Sequence, residues 1–152
     1  MIDVTEIRSQ EEMQKAFNIR RIVFCDEQKV DPQVEFDGLD LKCRHYLAVQ
    51  SGRAIGTARL RIDHQKKKFK IERVAVLLKE RGKGAGQALM RRAINDAQPK
   101  KGFTIAIHAQ CHALSFYETL GFKKFGDEFE EAGISHFYME YINSPCVTEN
   151  AP

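Results

Sequence analysis

Gly82, Gly84 and Gly86 fall within a few residues of one another, between the β-branched run from Phe69 to Leu77 and a stretch of helical period. Without a Cβ, such residues let backbone N–H groups crowd around an anion at a helix start, where unpaired donors and the macrodipole favour negative charge. Arg81 and Lys83 add two cations at the same place, which counts against a loop that merely joins strand to helix. A pyrophosphate is the expected occupant. The spacing excludes two common cradles: no glycine-lysine pair precedes a hydroxyl residue as a Walker loop needs, and a G-x-G-x-x-G register from Gly82 ends on Gln87.

Periodicity places this loop in an α+β chain with a mixed sheet. Ile2 to Ile7 alternates as a half-buried strand does, and Ser9-Gln10-Glu11-Glu12 matches a capping box that opens a helix over about residues 10 to 25. Residues 27 to 42 hold Asp31-Pro32 and Asp37-Gly38 with no sustained period and read as a long loop. His45 to Gln50, Ser51-Gly52 and Arg53 to Ile62 predict a hairpin with a two-residue turn. Lys66-Lys67-Lys68 reads as a solvated turn before the strand from Phe69 to Leu77. After the glycines, Ala85, Leu89, Ala93 and Ala97 form one helical stripe, ended by Pro99 and Gly102. Phe103 to Ala109 predicts a central strand, parallel to 69–77 through a right-handed crossover. A short helix from Ala113 to Leu120 stops at Gly121, and Phe122 to Phe129 and Ser135 to Ile142 predict two antiparallel strands. One domain over residues 1–142, with a frayed tail over 143–152, accounts for the 152 residues.

A formal net charge of +3 falls short of the clustered excess a phosphate-backbone binder carries, so nucleic acid is not an expected partner. No apolar run reaches the length of a membrane span, and the N-terminus lacks an export signal, which predicts a cytoplasmic protein. Cys25, Cys43, Cys111 and Cys146 have no C-x-x-C spacing and read as reduced thiols. His108, Cys111 and His112 lack the spacing of a zinc site, so no metal is assigned.

Arg81-Gly82-Lys83-Gly84-Ala85-Gly86 after Val74-Ala75-Val76 resembles the R/Q-x-x-G-x-G/A motif of GNAT acetyltransferases. Ala113-Leu-Ser-Phe116-Tyr117-Glu-Thr-Leu-Gly121-Phe122 resembles the family's A-x-x-F-Y-x-x-x-G-F segment. Val23-Phe-Cys-Asp-Glu27-Gln28, Glu35-Phe-Asp37, Asp40 and His45 are similar to the ElaA-like and YjcF-like branch. Glu131-Ala-Gly-Ile-Ser-His136 resembles a stretch of glyphosate N-acetyltransferase-like enzymes. The resemblance implies the three-layer GNAT fold, with helices on both sides of a mostly antiparallel sheet. It also implies acetyl-CoA as cosubstrate, a small primary amine as acceptor, and a homodimer formed at a sheet edge near the C-terminus.

It implies residue roles as well. The glycine loop, Arg81 to Gly86, would hold the CoA pyrophosphate, and main-chain groups of Val74, Ala75 and Val76 would pair with the pantetheine arm and polarise the thioester. Gln110, Phe116 and Tyr117 would line the cofactor. Tyr117 is the candidate acid for the departing thiolate, against the blander reading of a core aromatic. His136 and Glu72 are rival bases, against a hydrogen-bonded strand histidine and an ion-pair partner of a nearby arginine.

For the acceptor, Arg20 and Arg73 are candidate clamps for a carboxylate. Glu27, Glu35, Asp37 and Asp40 point instead to a polyamine or a lysine side chain. Two other functions stay open: a protein-lysine or N-terminal acetyltransferase, and an acyl-CoA-binding regulatory module without turnover.

Overall fold

A computed structural model describes residues 1–98 and 100–142 and shows why the sequence periods alternate as they do. Strands β1 (Ile2–Glu6), β2 (Arg44–Gln50), β3 (Arg53–Asp63) and β4 (Lys68–Val76) form an antiparallel meander. Its β2–β3 turn is Ser51-Gly52, both with positive φ as a two-residue hairpin requires. The sheet continues through β5 (Thr104–Gln110), β8 (Ile134–Tyr141) and β6 (Phe122–Lys124), with β7 (Phe129–Glu131) also on β8. Among the described residues, only β4 and β5 run parallel.

Helix α3 (Ala85–Ala97) covers one face, where its stripe of Leu89, Met90 and Ala93 is buried against Tyr46, Ile55, Ala58 and Leu60. Gly56 permits this approach: a Cβ there would lie 3.0 Å from the Ala75 carbonyl oxygen and 3.1 Å from Leu89. Helix α1 (Gln10–Arg20) covers the other face through Ala16 and Ile19, which pack with Val23, Phe24, Leu47 and Ala75. The capping box holds: the Ser9 hydroxyl accepts the Glu12 N–H at 3.1 Å, and the Glu12 carboxylate accepts the Arg8 N–H at 2.9 Å.

Three sequence expectations change. The first helix does not run regularly to residue 25. Its α form ends at Arg20, and Arg21–Glu27 continues as a wider π-helical segment whose Gln28 N–H reaches back to the Val23 carbonyl. The loop at 27–42 contains the short helix α2 (Pro32–Glu35), capped by Asp31, and a 3₁₀ turn (Asp40–Lys42). The strand expected at 122–129 breaks into β6 and β7 around Gly126, whose φ is +83°. Pro99, Cys146 and the tail lie outside the described residues.

The site is made by a failure of pairing. β4 and β5 pair only from Lys68–Thr104 to Lys70–Ala106, and from there to their C-terminal ends they separate. Opposite this opening β4 also changes face. Thr57 pairs with Ala75 and Arg59 with Glu72, so Arg73 and Val74 together oppose Ala58 as a β-bulge. Arg73 takes the left-handed φ of +56°, a conformation that costs a non-glycine residue about 1 kcal/mol or more. The bulge lets Ile71 and then Val74 and Val76 pack toward α3, while Ala75 turns toward α1.

Candidate active site

The gap between β4 and β5 opens into a cleft of about 1110 Å³ that reaches from the glycine loop, past Tyr117, to His136 and Glu131. At one end, Gly82 and Gly84 have φ values of +82° and +95°, with open space where a Cβ would point. Gly84 is the N-cap of α3, so the N–H groups of Ala85, Gly86 and Gln87 in its first turn have no intrahelical acceptor. A Cβ on Gly86 would touch Phe116 at 3.4 Å, so Phe116 packs directly on the helix start. Such a main-chain arrangement can accept an anion.

The two cations of the loop are engaged elsewhere. Arg81 forms a bidentate pair with Glu27, both contacts at 2.7 Å, and its Nε donates to the Val76 carbonyl at 2.9 Å. Lys83 bonds Glu80, which Arg53 also holds. Arg81 therefore ties the loop to the π-helical segment, while the free N–H groups face the cleft.

Along β4, the Leu77 N–H donates to Ile55 on β3. Val74 and Val76 lie out of phase with it and turn their own N–H and C=O groups toward the gap. Tyr117 stands on α4 (Leu114–Thr119), edge-on to Phe116 and Phe122. Burial alone pushes its phenol up to about 12, so it keeps its proton at neutral pH. Gln110, at the end of β5, exchanges two amide hydrogen bonds with Gln28 at 2.9 and 3.2 Å, bridging the cleft to the π-helical segment.

His136, on β8, is 6% exposed, stacks on Phe129 and places Nδ1 2.7 Å from the Ile134 carbonyl oxygen. A carbonyl only accepts, so Nδ1 carries a hydrogen, which leaves Nε2 as the basic nitrogen of the neutral ring. Glu72 stands differently. Its carboxylate accepts from Arg59 at 2.8 Å and from Arg61 at 3.0 and 3.1 Å. Burial works to raise its pKa, but Arg61 and then Arg59 outweigh it and hold the group below the usual carboxylate range. It is the arginine partner that the blander sequence reading described.

The acceptor expectations need correction. Arg20 is 1% exposed and saturated by Glu35 and Asp40, so no substrate carboxylate can reach it. Arg73 lines the cleft, but its Nε and Nη2 are spent on Glu35 and Asp37. The four carboxylates proposed to attract a polyamine are likewise engaged: Glu27 by Arg81, Glu35 by Arg20, and Asp37 and Asp40 by Arg59. Arg59 is fully buried at the centre of this network. Desolvation opposes its charge, but Asp37, Glu72 and Asp40 outweigh that and hold it protonated.

Sequence reading missed Arg59 and Arg61 because alternation along β3 put them on a polar face; nothing local showed that α2 and its flanking turns would cover it. Nor did sequence spacing connect His108 with Glu131, which are 23 residues apart. In the structure these two bond at 2.9 Å in the cleft wall. Among the described residues no His/Cys/Asp/Glu group is arranged to hold a metal, and no helix is long and apolar enough to cross a membrane.

Comparison with known proteins agrees with this geometry. Residues 24–143 match the acetyltransferase (GNAT) domain. The Bacillus subtilis N-acetyltransferase YjcF is 29% identical over 87% of this chain and 94% of its own. Escherichia coli ElaA superposes with a TM-score of 0.83 at 27% identity, over 93% of this chain and 100% of that one. A GNAT acetyltransferase from Elizabethkingia anophelis, solved with acetyl-CoA bound, shares the fold with a TM-score of 0.70 at 18% identity, over 92% and 97% of the two chains. The chain belongs to the GNAT family of acetyltransferases.

Proposed function

We propose that the protein is an acetyl-CoA-dependent N-acetyltransferase that moves the acetyl group directly to a primary amine of a small molecule. The observation that carries this reading is the single cleft in which the glycine loop, the bulged edge of β4, Tyr117 and His136 converge. Acetyl-CoA is the cosubstrate by analogy with the acetyl-CoA-bound relative of the same fold. Its pyrophosphate would lie on the N–H groups of residues 84–87, and its pantetheine arm along Val74 and Val76. The Val76 carbonyl is exchanged from Arg81 as the arm docks.

His136 Nε2 takes the proton released as the amine nitrogen bonds the acetyl carbon. A main-chain N–H of the bulge stabilises the developing oxyanion. The C–S bond then breaks, and the Tyr117 phenol protonates the departing thiolate. Tyr117 suits this role because it stays protonated without a protein acceptor competing for its hydrogen. His136 is preferred to Glu72 because among the described residues no protein group is bonded to its Nε2, whereas two guanidiniums occupy Glu72. Arg20 and Arg73 have no part in this reading.

Calorimetry with acetyl-CoA, followed by thiol release across a panel of amines, tests the proposal. Binding that disappears when Gly84 and Gly86 are replaced by bulky residues, with release for one class of amine, is the expected result. A folded protein that binds no acyl-CoA would overturn it.

A further inference from the structure

The acceptor end of the cleft has an unevenly distributed charge. Arg20, Arg59, Arg61 and Arg73 are matched by Glu35, Asp37, Asp40 and Glu72 in one interlocked network. Glu131, at the end of β7, stands apart from it. Its hydrogen-bonding partner is His108 at 2.9 Å, a group that is charged only when protonated. Lys70 also lines the cleft, but its charged neighbours are Arg61, Glu72, Lys66 and Asp63, and it is not among the groups acting on Glu131. Among the described residues Glu131 is therefore the cleft carboxylate with no arginine or lysine in ion-pair contact, Arg73 acting on it only over a longer distance.

The geometry also fixes where this carboxylate sits relative to the chemistry. Phe129 packs between the two imidazoles, edge-on to His108 at 5.1 Å and stacked on His136 at 5.8 Å. On β8 His136 pairs with Gln110 and Tyr138 with His108. His108 thus stands one step along the sheet from His136, while Glu131, in register with Ile134 on the other side of His136, reaches across to the His108 ring. Asp127, Glu128 and Glu130 are exposed on the chain leading to this rim and extend the same sign.

Resting on the acetyl-transfer reading above, we infer that Glu131, held by His108, receives a second positive charge on the acceptor, so that the preferred acceptor is an amine carrying a further cation and no neighbouring carboxylate. The attacking amine faces His136, and the distal ammonium displaces His108 from Glu131. A carboxylate on the acceptor would meet Glu131 as a like charge and would find each of the cleft's arginines, Arg61, Arg73 and Arg81, already paired with a carboxylate.

Such an acceptor could be a free diamine or a lysine in a basic peptide, and one experiment separates these sources from each other and from no selection at all. Calorimetry on the CoA-saturated protein compares 1,4-diaminobutane, butylamine, 4-aminobutyrate and a short lysine-containing peptide, with wild type and Glu131→Gln side by side. The expected result is binding of the diamine or the peptide about fivefold tighter than of butylamine, with 4-aminobutyrate weakest, and loss of that advantage in Glu131→Gln while CoA affinity is kept. Equal affinities in wild type, tighter binding of 4-aminobutyrate, or an advantage that survives in Glu131→Gln would overturn the inference. Because binding is read directly, thiol release in the same samples reports separately on acetyl transfer. Selective binding without release would defeat the enzyme reading alone.

Discussion

The end of the cleft proposed for the cofactor is made of main chain nearly contiguous in sequence, residues 74–86, whereas the end proposed for the acceptor is made of side chains drawn from α1, α2, its flanking turns, β3, β4, β5, β7 and β8. In the first, N–H groups at a helix start and carbonyls on an unpaired strand edge would bind, and the side chains Arg81 and Lys83 are turned to internal partners. In the second, Arg59 lies fully buried among three carboxylates, and shape depends on ions taken out of water. A backbone site tolerates change in most of its side chains. A buried ionic site does not, since removing one member leaves its partners charged and unpaired.

That contrast predicts a ranking of effects. Arg59→Ala should be the most damaging change, costing about 3–5 kcal/mol of stability in urea unfolding, because Asp37, Asp40 and Glu72 would be left facing one another. A loss below 1 kcal/mol would show that water already screens the network. Tyr117→Phe should lower kcat about a hundredfold while leaving the calorimetric affinity for acetyl-CoA intact; unchanged turnover would return Tyr117 to a packing role.

Gly84→Ala should cost about 1–2 kcal/mol through its left-handed φ and weaken acetyl-CoA binding with it. Retained affinity would mean that the cradle does not depend on that conformation. Acid should act on the ionic half. Asp37, Asp40 and Glu72 have folded pKa values below their ordinary 3.8 and 4.5, so their stabilisation is fully present above those values and is withdrawn as pH falls through the lower folded ones. Glu35, raised chiefly by burial, works in the opposite sense. Thermal unfolding from pH 6 down to 2 should show a steep drop below about pH 4, and the drop should shrink in Arg59→Ala. The smallest effect is expected for Lys83→Ala, within about threefold in acetyl-CoA affinity, since that ammonium is half exposed and bonded to Glu80. A tenfold loss would break the distinction between a main-chain and a side-chain site.

Much of the cofactor end could be read directly from the chain. Strand, glycines and helical stripe follow one another in sequence, and the short helix bearing Phe116 and Tyr117 comes soon after, so local spacing carried the information. The hairpin at Ser51-Gly52 and the cap at Ser9 were legible for the same reason. The bulge at Arg73 was not: the extra residue flips the alternation, but over so short a strand the flip reads as two adjacent polar residues, Glu72-Arg73, and only pairing with β3 reveals it. Glu72 and His136 were rival bases in sequence, His136 slightly preferred for its near-neutral intrinsic pKa. Their partners, Arg59 and Arg61 on β3 for one and the Ile134 carbonyl for the other, distinguish them.

The sequence by itself determined the α+β layering, the glycine-opened start of α3 and the family resemblance, because each depends on residues close together along the chain: period, φ preference, and donors left free at a helix end. Tertiary structure alone decided which charges remain to meet a substrate. Arg20, Glu35, Asp40 and Arg59 are separated by many residues, and whether a charge is spent or free depends on partners that long-range folding brings within hydrogen-bonding distance.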